Sequence, residues 1–236
     1  MIVPVSLGQQ LISPPSVIVV RHFDFSAPQN GYAIAYDGND WSIDRISNSG
    51  NSWQTLSAPN GAEFGFHMRR ISTVDAMHDY FLCDRMWFAA TDDGGQTWKH
   101  IQQIDSIRDP YALQFLDSLT GYAVGGNGFV GASRVSAYKT TDGGASWTSV
   151  YIPASEYLLA DVCGADEDRF VYFMNADTGF SVKSDSLIFR TTDGAATWDS
   201  VAVNSNALNR IRQFPNGVLL AEGFPNKKSL DSGATW

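Results

Sequence analysis

One turn signature comes back along the chain: TDDGGQTW at Thr91 to Trp98, TTDGGASW at Thr140 to Trp147, TTDGAATW at Thr191 to Trp198 and SLDSGATW at Ser229 to Trp236. A weaker copy, ISNSGNSW, runs from Ile46 to Trp53. The closing tryptophans at 53, 98, 147, 198 and 236 are 45, 49, 51 and 38 residues apart, the length of one four-stranded antiparallel sheet with its turns. A chain built this way is a repeat array, and its function has to be sought on the array.

The third repeat gives the plan of one unit. Tyr111, Leu113 and Phe115 alternate on one strand face, DSLTG turns the chain, and Tyr122 to Val124 forms a second strand. Val135 to Lys139 follows as the third strand, and the box leads into a fourth from Trp147 to Ile152. The other repeats begin in the same way with FDFSAPQNGYAIA, FMNADTGFSV and RQFPNGVLLA. Gly31, Gly121 and Gly179 each precede an aromatic, which suggests turns that require positive φ. The second repeat departs, with His78, Asp79 and Tyr80 where Thr, Gly and Tyr are expected.

The box chemistry reads as structural. Ser or Thr opens the turn, Asp accepts backbone amides, glycines take conformations closed to other residues, and Trp fills the space beneath. This assigns structural roles to Asp93 and Trp98, Asp142 and Trp147, Asp193 and Trp198, and Asp231 and Trp236. A calcium loop is excluded because no box carries the later bidentate Glu of a twelve-residue loop.

Composition narrows the function classes. With 44% hydrophobic and 13% aromatic residues the chain has ample core material, and 21 glycines suit an all-β protein rich in tight turns. A formal net charge of -9 argues against nucleic acid as a partner and against bulk attraction to an anionic membrane. Cys83 and Cys163 have no metal-ligand spacing and read as small buried hydrophobes. The four histidines form no metal pattern, so neither a metal nor another cofactor is expected. No run of 18 apolar residues predicts membrane insertion, and the first 25 residues lack the pattern of a secretion signal.

These motifs resemble Asp-box, or bacterial neuraminidase, repeats. The pairing of a GYAVG strand with TTDGGxSW is most similar to propellers of the photosystem II stability and assembly factor kind, with sialidase-like propellers next. The resemblance implies an all-β propeller of four-stranded blades, about five in this chain, and a protein that is secreted or in the cell envelope. It says little of function, because sialidases, xyloglucanases and sortilin-type receptors share the box.

The expected organisation is one domain over 1–236: an outer strand of a preceding blade plus blade 1 over 9–60, then blades over 61–105, 106–155 and 156–204, and an incomplete blade over 205–236. Residues 9–15 look like an outer strand lacking its Trp. Either they complete the fifth blade and close a small ring, or the chain is a piece of a larger propeller; the second is favoured.

Aligning the first strands on Phe25, Thr73, Phe115, Phe173 and Phe214 places Arg21, Arg69, Tyr111, Arg169 and Arg210 four residues earlier. An even spacing keeps each on the face of its anchor, so a radial array brings them round as a ring at one channel mouth. One reading is that each arginine pairs with a nearby carboxylate such as Asp24, Asp109, Asp166 or Asp168 and seals blade contacts. The other is an anion site for a carboxylate, phosphate or acidic peptide. Arg210-Ile211-Arg212 is similar in part to the arginine motif with which sialidases hold a substrate carboxylate, with Arg212 in place of its proline. No catalytic residue is assigned, because none of Glu63, Glu156, Glu167 or Glu222 occupies a repeated position. The expectation is a non-enzymatic scaffold binding a protein, an anionic small molecule or a glycan, with a sialidase-like exo-glycosidase as the alternative.

Overall fold

Alternating apolar residues between Gly- and Asx-rich turns become strands, and the turns are short enough that each strand pairs with the next in sequence. The computed structural model describes residues 19–36, 41–56, 68–105, 109–126, 135–153, 170–183, 187–203 and 205–236. The first sheet holds β1 (Val19–Ala27), β2 (Asn30–Tyr36), β3 (Trp41–Ser47) and β4 (Ser52–Leu56). The second holds β5 (Met68–Thr73), β6 (Asp79–Cys83), β7 (Trp87–Thr91) and β8 (Lys99–Gln103). The third holds β9 (Asp109–Phe115), β10 (Gly121–Gly126), β11 (Val135–Thr140) and β12 (Thr148–Val150). The fourth holds β13 (Val171–Phe173), β14 (Gly179–Lys183), β15 (Leu187–Thr191) and β16 (Asp199–Ala202). The fifth holds β17 (Asn206–Gln213), β18 (Leu219–Phe224) and β19 (Lys227–Ser229). Residues 9–15 lie outside the described residues.

The sheets adjoin through their first strands, β1 against β5, β5 against β9, β9 against β13 and β13 against β17. Core residues fill the joints between sheets. Tyr32, Ile34 and Ile43 meet Met68, Ile71 and Phe81 at the first joint. Tyr80, Leu82 and Phe88 meet Leu113 and Phe115 at the second. The remaining joints share one continuous cluster that includes Tyr122, Phe173, Phe180 and Leu219.

Polar bonds lock the same joints from inside. The amide of Thr73 donates to Asp24 Oδ2 at 2.8 Å, that of Phe115 to Ser72 Oγ at 2.8 Å and that of Phe173 to Gln114 Oε1 at 2.9 Å. In each case the residue just before one sheet's anchor holds the anchor amide of the next sheet. At the last joint Tyr172 donates its hydroxyl to Gln213 Oε1 at 3.0 Å.

The boxes form the hydrogen-bonded turns their residues imply. In the third repeat Thr140 donates its hydroxyl to Asp142 Oδ1 at 2.8 Å and accepts the Gly144 amide at 2.9 Å. Asp142 then accepts the Ser146 amide at 2.9 Å and the Ser146 hydroxyl at 2.6 Å. The bonds around Asp93, Asp193 and Asp231 repeat this set. The i+4 hydroxyl donor is the largest influence, followed by the i+4 amide, and together they hold Asp93, Asp142 and Asp193 down to about 2.

Gly31, Gly121 and Gly179 correct one expectation. They lie in strands and are not among the positive-φ glycines; apart from Gly217, those are in the boxes, as at Gly143 (φ 72) and Gly144 (φ 91). What demands glycine is space: an added Cβ would come within 2.4 Å of the Phe25 ring, 2.7 Å of Phe115 and 2.4 Å of Phe173.

Candidate functional site

Three of the innermost strands contain a step in register at an equivalent place. In β1 it falls between Val20 and His22, in β5 between Met68 and Arg70, and in β9 between Pro110 and Ala112. The residues in those steps are Arg21, Arg69 and Tyr111, three of the aligned positions. An extra residue at a strand step is unpaired in the ladder and its side chain is re-aimed. The shared position is therefore a feature of the backbone as well as of the alignment.

Their side chains do different things. Arg69 directs Nε to Asp84 Oδ1 at 2.5 Å, with 27% and 19% of the two side chains exposed. Asp84 opens the 3-10 turn Asp84–Met86 after β6, so the pair ties that turn to the start of β5. Tyr111 is 7% exposed and belongs to the core cluster of the third and fourth sheets. The Arg21 side chain and the whole of Arg169 lie outside the described residues. The Arg-carboxylate pairing expected as an alternative is thus realised at Arg69, with Asp84 as the partner.

Arg210 sits one residue away from the other aligned positions. Gln213 faces Leu219 as Phe115 faces Gly121, and the Phe214 amide bonds to Val218 O as the Leu116 amide bonds to Thr120 O. The anchor of the fifth sheet is therefore Gln213, and the alignment on Phe214 is corrected by one. Arg210, opposite Glu222, stands level with His22, Arg70 and Ala112. The step in β17 lies between Asn206 and Arg210.

Arg210 and Arg212 converge on Glu222 instead. Arg210 Nη1 lies 3.9 Å from Glu222 Oε2, and Arg212 bonds the other oxygen while its guanidinium lies 5.6 Å from the centre of the Phe214 ring. The Arg212 side chain stays 39% exposed beside this carboxylate. A guanidinium exposed in this way can take an anion.

Sequence reasoning overlooked Arg70, and marked Asp79 only as a departure from the repeat. Arg70 is 8% exposed and donates Nε to Tyr111 O at 2.8 Å and Nη1 to Arg69 O at 3.0 Å, bridging the second and third sheets. The Arg69-Arg70 pair was visible, but only one of the two falls on the alignment. Asp79 is fully buried. Burial pushes its carboxyl up to about 7, against lowering by the Tyr32 and Thr73 hydroxyls.

Among the described residues no group of three or more His, Cys, Asp and Glu could hold a metal ion. Cys83 is a free thiol buried in the joint between the first two sheets, and Cys163 lies outside the described residues. No helix among the described residues is long and apolar enough to cross a membrane.

No family model matches the chain. A xyloglucanase from Paenibacillus sp is 26% identical over 249 residues, spanning 87% of this chain and 24% of that protein. In three dimensions the chain is similar to YCF48 bound to D1 peptide, with a TM-score of 0.59, 15% identity, and 91% of this chain and 66% of the other covered. YCF48 from Cyanidioschyzon merolae gives 0.56 at 13% identity, covering 96% and 72%. The GH74 xyloglucanase from Xanthomonas campestris gives 0.61 at 17% identity, covering 89% and 30%. The chain thus spans about a quarter of the curated relative and just under two thirds of the first YCF48 chain. Its all-β architecture of about five blade-like sheets is that of a β-propeller, similar to those of YCF48 and the GH74 xyloglucanase.

Proposed function

We propose that the chain is a non-enzymatic binding scaffold that receives an anionic group of a protein partner at one end of its innermost strands. The carrying observation is the recurrence of Arg21, Arg69 and Tyr111 at the register step of three successive strands. Such steps re-aim side chains and cluster near functional rims. Arg69 spends one of its five N–H donors on Asp84 and keeps 27% of its side chain exposed. Arg210 and Arg212 add two further guanidinium groups beside Glu222, and Arg169 is assigned to the ring of the aligned positions. A relative of this fold, YCF48, is described with a D1 peptide bound. By the same resemblance the protein works in the cell envelope or outside the cell, and an anionic small molecule or glycan would suit the same arginines.

Fluorescence anisotropy with a labelled acidic peptide tests this reading. Binding should weaken with added salt, and Arg69→Ala should lower affinity about tenfold, the loss of one charge-assisted contact. Unchanged affinity in both Arg69→Ala and Arg210→Ala would overturn it. The Paenibacillus relative favours a second reading, a glycoside hydrolase of the xyloglucanase or sialidase kind. Release of reducing ends from xyloglucan, or turnover of a fluorogenic sialoside, would move the conclusion there.

A further inference from the structure

The joint between the first and second sheets differs from its neighbours at one point. At the next two joints a tyrosine of one sheet lies flat on the anchor phenylalanine of the following sheet: Tyr80 on Phe115 at 3.4 Å and 2°, and Tyr122 on Phe173 at 3.6 Å and 4°. Each phenylalanine in turn covers a glycine, Gly121 or Gly179. At the first joint Thr73 replaces the phenylalanine and Asp79 the glycine, and the two are paired across β5 and β6. Tyr80 and Tyr122 donate their hydroxyls to Ser118 O and Ala176 O in the turn of the next sheet. The Tyr32 hydroxyl is instead a neighbour of Asp79.

A carboxyl group thus occupies the centre of an apolar joint. Neither oxygen of Asp79 nor the hydroxyls of Tyr32 and Thr73 has a partner at good hydrogen-bond geometry. The charged groups around it come from every packed element. Arg45 of β3 attracts the ionised form, while Asp75 in the β5–β6 turn opposes it and is itself paired with His78 at 2.9 Å. Asp93 of the second box acts on Tyr32. On β1, His22 Nδ1 accepts the Ile71 amide at 3.3 Å, and Asp24 accepts that of Thr73. Beside the joint lies a cleft of about 510 Å³, lined by Arg45, Gln54, Leu56, Gly94 and Gln96 among others.

We propose that the joint between the first and second sheets is a pH-sensitive hinge, closed while Asp79 carries a proton and loosened when Asp79 is ionised. This goes beyond the scaffold reading and does not rest on it. A protonated carboxyl donates to one neighbour and accepts from another, so it closes the seam as a neutral group. An ionised one has to be solvated, and opening the joint admits the water that does so. The closed state holds the proton up to about pH 7, whereas an exposed carboxyl releases it near 3.8. Closure is therefore fully supported below the exposed value and loses that support as pH rises to the closed one.

Amide hydrogen exchange reads the hinge locally, because the Thr73, Phe115 and Phe173 amides each bond across one joint. After correction for intrinsic exchange, protection at Thr73 should fall about tenfold per pH unit between about pH 5 and pH 7 and then level off. Phe115 and Phe173 should keep theirs. Asp79→Asn should remove the slope at Thr73, and so should Thr73→Phe with Asp79→Gly, which restores the pair present in the first, third and fourth sheets. The second variant also serves if the buried amide of the first prevents folding. Protection at Thr73 that does not vary, varies as much at the other two amides, or still falls in Asp79→Asn would overturn the proposal.

Discussion

Thr140 is a small residue with two tasks. It is 1% exposed, and its hydroxyl both orients Asp142 and receives the amide of the buried Gly144. Replacing it with valine keeps the shape and strands a buried donor, so Thr140→Val should cost about 1–3 kcal/mol in urea unfolding, the usual penalty for such an orphan. A loss within experimental error would mean that water serves the amide equally well. The four box aspartates add a pH signature of their own. Their folded-state pKa values lie below the ordinary 3.8, so the stability they lend is present above that value and is lost as pH falls, toward about 2 for Asp93, Asp142 and Asp193. This window is separate from the one in which Asp79 acts.

Strand pairs show where reading the sequence succeeded and where it stopped. Tyr111, Leu113 and Phe115 predicted β9, and the observed β9, β10 and β11 fall where the alternation and turns put them. The glycine before the aromatic was legible as a requirement, but its reason was not: a turn and a ring lying over the backbone leave the same residue in the sequence. Gly121→Ala separates the two. If the ring is the reason, a methyl group 2.7 Å from three atoms of the Phe115 ring has to push it off Tyr80, costing about 1–3 kcal/mol, as overpacking does. A near-neutral result would mean that the ring slides freely. The boxes carry a similar double meaning. Trp147 packs 5.1 Å from Phe88 of the preceding sheet, and a Cβ on Gly144 would meet the same ring at 2.2 Å. The box is therefore part of the joint as well as a hairpin turn, which no single repeat reveals.

Across the whole molecule, repetition made the array legible and also limited what could be seen. Spacing of the boxes counted the sheets, yet aligning the fifth on Phe214 shifted Arg210 by a residue, because hydrogen bonds set register and an aromatic can stand beside the anchor as well as on it. Position in the array also decides what one residue type is worth. Phe25 and Phe173 occupy the same strand position over Gly31 and Gly179. Phe173 is 1% exposed beneath Tyr122, whereas Phe25 is 42% exposed. The Phe25 amide bonds to its own neighbour Asp24, where Phe173 uses Gln114 of the preceding sheet. Among the described residues no sheet lies in front of the first, and Val20, Phe23, Phe25 and Trp53 line an apolar hollow of about 410 Å³ there. Phe173→Ala should therefore cost about 3–5 kcal/mol, the range for a buried phenylalanine. Phe25→Ala should cost less than about 1 kcal/mol and reduce the binding of an apolar dye, because it removes exposed rather than packed surface. Equal losses in the two variants would mean that the first sheet is covered in solution as fully as the fourth.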